Sequence, residues 1–199
     1  MRFIWSMPRC RYKDKATRNR VVQALTLIRE KKIQGTIQLS TESLEPFPSD
    51  DAPLWLEPVG RECDPKCLTY DDMIKAITAV LSVLVRLHAE NLCHCDVRWP
   101  NVIFDIKGGG RFVLIDFEYA RAVDEDLPSI KPKFIHKELQ DIKKWKKFGD
   151  THQVALMIKD WTEINKGSNV QIESILSKKW SAEDLLKKIQ GMHSPTTVL

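Results

Sequence analysis

The sequence predicts an α+β chain in which a small strand-containing part precedes a larger, mainly helical one. Three observations carry that prediction. Met73, Ile74, Ile77, Val80, Leu81, Leu84 and Leu87 recur at helical spacing. Val102-Ile103-Phe104-Asp105-Ile106 and Arg111-Phe112-Val113-Leu114-Ile115 are β-rich runs joined by Lys107-Gly108-Gly109-Gly110, the pattern of a hairpin. Val154, Ala155, Leu156, Ile158 and Trp161 then mark a buried helix in the second half. A length of 199 residues suits one domain built from two unequal lobes, with boundaries expected at 1–60 and 61–199.

Taken in order, 16–32 reads as an amphipathic helix whose apolar stripe is Val21, Val22, Leu25 and Ile28. Gly35 breaks it, and Ile33, Ile37 and Leu39 suggest a short strand. The stretch 41–53 holds three prolines among acidic and hydroxyl residues and is expected to be a loop. Leu54-Trp55-Leu56 is a second short strand, ended by Pro58 and Gly60. Thr69 and Asp72 have capping-box spacing ahead of the long helix, which should end near Asn91, a residue that tolerates a left-handed cap. The glycine triplet 108–110 lies between strands and lacks a Gly-Lys-Ser/Thr ending, so it is a hairpin turn rather than a phosphate loop. Beyond Ala120 the pattern becomes helical and polar, and Lys143-Lys144-Trp145-Lys146-Lys147 reads as a solvated helix face. Ser181 and Asp184 box the start of a last helix with Leu185, Leu186 and Ile189 on its apolar face.

The formal charge of +4 is too mild and dispersed to argue for nucleic acid by itself, and no nucleic-acid partner is expected. No apolar run reaches membrane-spanning length, and the apolar part of the first residues is too short for a signal peptide. An intracellular location, in cytoplasm or nucleus, is the expectation. Five cysteines without a regular framework predict free thiols. Cys63 and Cys67 together with Cys93-His94-Cys95 offer enough soft ligands for zinc, but the spacing matches no common finger.

The chemistry-bearing constellation is His94-Cys95-Asp96-Val97-Arg98-Trp99-Pro100-Asn101, then the hairpin, then Asp116. Phosphoryl transfer needs a carboxylate to orient a hydroxyl and accept its proton, hard oxygen ligands for magnesium, and a cation near the transferred phosphate. Asp96 can be that base. Asn101 and Asp116 can be metal ligands at the two arms of the hairpin. Arg98, an alternate-residue neighbour of Asp96, could face the same phosphate.

This stretch resembles the protein-kinase catalytic loop, H-R-D-L-x-x-x-N, with the same Asp-to-Asn spacing. Asp116-Phe117-Glu118 resembles the magnesium-binding D-F-G triplet. Leu54-Trp55-Leu56-Glu57-Pro58 resembles the hinge that receives adenine, which nominates Leu56 and Glu57 as nucleotide contacts. Asp150 sits where kinases keep a helix-starting Asp that hydrogen-bonds the catalytic loop, and 180–186 is similar to the closing helix of the C-lobe. The wording Asp-Val-Arg-Trp-Pro-Asn followed by Ile-Asp-Phe-Glu-Tyr-Ala is most similar to divergent fungal and oomycete kinase-like domains, including those of Crinkler-type effectors. The resemblance covers about 54–189. It implies a protein-kinase-like fold with a mainly helical C-lobe and a reduced β-containing N-lobe. It also implies transfer of the γ-phosphate of ATP, with Mg2+, to a protein hydroxyl, and hence a protein substrate or host protein partner.

The departures shape the expectation. Cys95 replaces the usual Arg, Glu118 replaces the triplet Gly, and Ile135-His136-Lys137-Glu138 is a poor match to A-P-E. No glycine-rich loop or V-A-I-K lysine is found before the helix at 16–32, so weak ATP binding and slow transfer are expected, unless Arg2, Lys13 or Lys15 supplies the missing cation. Two other classes stay open: a pseudokinase or truncated binding module without turnover, and a small-molecule kinase of the choline or aminoglycoside type.

Overall fold

The computed structural model describes residues 9–10, 14–40, 54–165, 175 and 178–192. The loop expected over 41–53, the residues Arg2 and Lys13, and the chain end beyond Met192 lie outside them. The described part is α+β. Its strands are β1 (Arg9–Cys10), β2 (Gln38–Leu39), β3 (Leu54–Glu57), β4 (Arg61–Glu62), β5 (Leu92–Cys93), β6 (Val102–Asp105), β7 (Arg111–Leu114) and β8 (Arg121–Ala122). Its helices are α1 (Lys15–Glu30), α2 (Tyr70–Ala89), α3 (Lys137–Ile142), α4 (Lys147–Ile164) and α5 (Ala182–Met192). Three small antiparallel sheets result, in the orders β1-β3-β2, β4-β6-β7 and β5-β8.

Local signals placed the helix starts well. Thr69 caps α2 by accepting the Asp72 N–H at 3.1 Å, and its hydroxyl meets the Asp72 carboxylate at 2.8 Å. Ser181 treats Asp184 the same way at 3.0 and 2.7 Å. In both caps the short Asp bonds the capping hydroxyl, where a longer Glu would reach back to the backbone. Asn91 takes the left-handed conformation just past α2, with φ 61°.

The basic run at 143–147 is corrected. Lys143 is left-handed at φ 55° just after α3, Trp145 is fully buried, and α4 begins only at Lys147. The gain from burying the large Trp145 ring overrides the polar pattern of its neighbours. The segment after Ala120 also differs from its helical expectation: it forms β8 and a short 3-10 turn, Pro132–Phe134, before α3.

One apolar cluster runs through the described chain. It unites Val21, Leu25 and Ile28 of α1 with Leu54 and Leu56 of β3, the inner face of α2, Val102 and Leu114 of the hairpin, and Leu185 and Ile189 of α5. Residues on both sides of position 60 therefore share a core. Segment 35–37 joins the hairpin directly. The Leu114 N–H donates to the Gly35 carbonyl at 2.9 Å, and the Ile37 N–H donates to the Leu114 carbonyl at 3.0 Å. A second, smaller cluster holds Cys93, Cys95, Ile135, Leu139 and Trp145. No helix among the described residues is long and apolar enough to cross a membrane.

Candidate active site

The loop 94–101 leaves β5 in an unusual path. Cys95 is left-handed at φ 68° and fully buried, a conformation that non-glycine residues keep only when their surroundings hold it. The holding group is Asp150, in the first turn of α4 and wholly buried. Its Oδ2 accepts the His94 N–H at 2.9 Å and lies 2.9 Å from His88 Nε2. Its Oδ1 accepts the Cys95 N–H at 2.9 Å and the Trp145 indole N–H at 3.1 Å. Burial pushes this carboxyl up, but the His88 hydrogen bond and charge, with the His94 N–H, outweigh burial and hold it below its usual value.

Gln153, one helical turn along α4, completes the clamp. Its amide oxygen accepts the Val97 N–H at 2.8 Å, and its Nε2 donates to the Cys95 carbonyl at 3.0 Å. The Trp99 indole donates to the Met157 carbonyl at 2.9 Å. The loop is thus read off one face of α4 at positions 150, 153 and 157.

His94 binds the loop to the hairpin. Its Nδ1 accepts the Asp96 N–H at 3.3 Å, so the ring proton sits on Nε2, which donates to the Ile115 carbonyl at 3.0 Å. Its ring also meets Phe117 edge-on, centroids 4.7 Å apart.

Within the loop, three of the nominated residues meet. Asn101 Nδ2 donates to the Asp96 carbonyl and to Asp96 Oδ2, both at 2.8 Å, and Arg98 Nη2 lies 2.9 Å from the same Oδ2. Both contacts to the buried carboxylate fall on Oδ2. Asp96 Oδ1 takes no partner among the described residues. Arg98 is turned onto Asp96, and its Nε is buried without a partner among them.

Asp116 is brought close by the hairpin register. Val102 faces Leu114 across the pair, and the Ile115 N–H donates to the Asn101 carbonyl at 2.9 Å. Asp116 therefore follows the cross-strand partner of Asn101. It is left-handed at φ 66°, and among the described residues its Oδ1 takes a single long bond, 3.4 Å, from the Glu118 N–H. Arg20 of α1 donates to the Glu118 carbonyl at 3.3 Å. Leu56 and Glu57 are not gathered into this group: Leu56 is buried in the core, and Glu57 lines a cavity whose wall includes none of Asp96, Asn101 and Asp116.

A cavity of about 500 Å3 opens beside Arg98, Trp99 and Pro100, and its wall carries Glu62, Asp64, Asp160 and Glu163. Burial, then the charge of Glu163, raises the Asp160 carboxyl. A cation entering here would relieve that repulsion.

The zinc set suggested by spacing does not assemble. Cys63 packs in the main core, whereas Cys93 and Cys95 pack in the small cluster. Among the described residues, His88, Cys93 and Asp150 do bring ligand atoms within 4.8 Å of one another. Both Asp150 oxygens are already filled by four donors, and His88 Nε2 is turned onto one of them, so this group is a hydrogen-bonded hub. Its cysteines are poor nucleophiles: burial, then the Asp150 charge, pushes the Cys93 and Cys95 thiols far up, and burial takes Cys63 to about 12.

Gly149 shows how tightly the hub is packed. A Cβ there would lie 2.7 Å from both Leu139 Cδ1 and Trp145 Cε2. Gly149→Ala is expected to lower stability by about 1–3 kcal/mol, because Trp145 cannot move without dropping its bond to Asp150. A urea midpoint equal to that of the parent protein would show that the packing can relax.

Compared with known proteins, the chain matches no family model and no curated protein.

Proposed function

We propose that the chain is an ATP-dependent phosphotransferase of the protein-kinase-like type, acting on a protein hydroxyl. The observation that carries this reading is the Asp96–Asn101 pairing in a loop pinned to a buried Asp150. A pinned carboxylate with one oxygen anchored by an amide and a guanidinium keeps the other oxygen in a fixed direction. That is what a base needs to orient an attacking hydroxyl. The substrate oxygen attacks the γ-phosphorus, its proton passes to Asp96 Oδ1, and ADP leaves.

The residues fit magnesium. Asn101 spends its amide N–H groups on Asp96, which leaves its carbonyl oxygen as a donor, and among the described residues the Asp116 carboxylate has one long contact. Both are hard oxygen ligands of the kind Mg2+ takes beside substrate phosphates. When bound, the ion would neutralise charge on the β- and γ-phosphates. Asn101 and Asp116 would hold it, and Arg98 would steady the base.

The test is calorimetric titration with ATP and magnesium, run beside radiolabel transfer to a peptide mixture, to choline and to aminoglycosides. Weak ATP binding with slow transfer to peptides is expected. Transfer to choline or an aminoglycoside alone would replace the protein substrate with a small one. Magnesium-dependent ATP binding with no transfer to any acceptor would make the chain a binding module, and absence of ATP binding would overturn the proposal.

A further inference from the structure

A cavity of about 770 Å3 lies at the turn end of the β6–β7 hairpin, the end opposite Asn101 and Asp116. Four separate segments build it: the end of α1, residues 34–38, residues 57–61, and the hairpin turn. Its volume is that of a small-molecule site, which typically spans roughly 300–1,000 Å3.

Its charge is one-sided. Among the described residues Arg29, Lys32, Arg61, Lys107 and Arg111 line it, against the carboxylates of Glu57 and Asp105. Asp105 is further committed: buried, it accepts the Gly108 N–H at 2.8 Å and pairs with Arg111 Nε at 3.3 Å. That pairing engages only the Nε of the Arg111 guanidinium. Arg61 is steadied over the Phe104 ring, 5.9 Å from its centroid. The negative end of α1 is already answered, since the N–H groups of Lys31, Lys32 and Ile33 bond its last carbonyls. Held arginines with their planar donors suit phosphate oxygens.

The wall is also shaped in detail. A Cβ at Gly35 would meet Val83 Cγ2 at 2.9 Å, at Gly60 the Phe104 carbonyl oxygen at 2.6 Å, and at Gly108 the Asp105 carboxylate at 1.9 Å. Three of its positions thus accept only glycine without a shift in the wall. Pro58, Val59 and Ile106 add an apolar side to the basic one.

We propose that this cavity binds a small organic molecule carrying two or more phosphate groups, at a site separate from the Asp96–Asn101–Asp116 group. The five cations would take the phosphates, and the apolar wall would take the body of the molecule. The proposal stands whether or not the chain transfers phosphate.

Titration with inorganic tripolyphosphate, in EDTA so that no magnesium bridges to Asn101 and Asp116, tests it on the full chain. The expected result is saturable binding that weakens with salt, falls at least tenfold in Arg29→Glu/Lys32→Glu, and is unchanged in Asp116→Asn. The pair Lys75→Glu/Lys188→Glu, on α2 and α5, removes the same charge elsewhere and should leave it unchanged. Equal losses in both pairs would show general attraction to a basic chain and overturn the site. So would no binding by the parent protein, or a loss in Asp116→Asn. Tighter binding of an acidic peptide than of tripolyphosphate would overturn the choice of a small phosphate-bearing ligand.

Discussion

Asp150→Asn is expected to cost about 3–5 kcal/mol of stability, the usual penalty for breaking a buried, fully engaged charged group. An amide can accept from only one side. Its NH2 would face donors that the carboxylate now satisfies, either the His94 N–H and His88 or the Cys95 N–H and Trp145. Against a typical stability of roughly 5–15 kcal/mol, such a loss is readily seen in urea unfolding. The acid limb of stability should change as well. The folded Asp150 carboxyl lies below its ordinary 3.8. As pH falls, the unfolded chain therefore takes up that proton first. The contribution of Asp150 is complete above the unfolded value and drains away as pH drops through the folded one. Asp150→Asn should lack that part of the acid transition. A loss under about 1 kcal/mol would mean that the four donors find other partners, and that Asp150 is not what shapes the loop.

Asp96→Asn is expected to cut the transfer rate by roughly two to four orders of magnitude, the range for losing a general base. ATP binding should persist, since Asp96 is proposed to touch the acceptor hydroxyl and not the nucleotide. Asp116→Asn should also nearly abolish transfer, but for a different reason: it weakens the magnesium site. Raising magnesium should then recover part of the rate in Asp116→Asn and none in Asp96→Asn. The two variants are separated by the rescue and not by the size of the loss. An Asp116→Asn protein with the parent rate and the parent magnesium dependence would remove Asp116 from the proposed chemistry.

What could be read in advance was what short stretches of chain decide for themselves. The Thr69 and Ser181 caps, the left-handed Asn91, and the hairpin with its glycine turn all depend on neighbours within a few residues. The misread stretches depend on distant partners. Nothing near Lys143 announces that Trp145 will be fully buried beside Cys93 and Cys95. Gln153 grips Val97 and Cys95 across 56 and 58 residues, and Arg20 reaches Glu118 across 98. Such bonds leave no periodic trace in sequence. Asp96, Asn101 and Asp116 could be nominated because their spacing is local to a loop and one hairpin. The cavity at the turn end could not, because its four wall segments are scattered from Arg29 to Arg111.

Leu114 carries a mechanical consequence. Its side chain lies in the core, while its N–H and carbonyl are both given to Gly35 and Ile37. Asp116 stands two positions further along the same strand direction. The early part of the chain cannot swing away from the hairpin like a jaw without breaking those two bonds and exposing the shared apolar cluster. Segment 35–37 and the Asp116 corner are thereby tied to one another through the short run of chain that begins at Leu114.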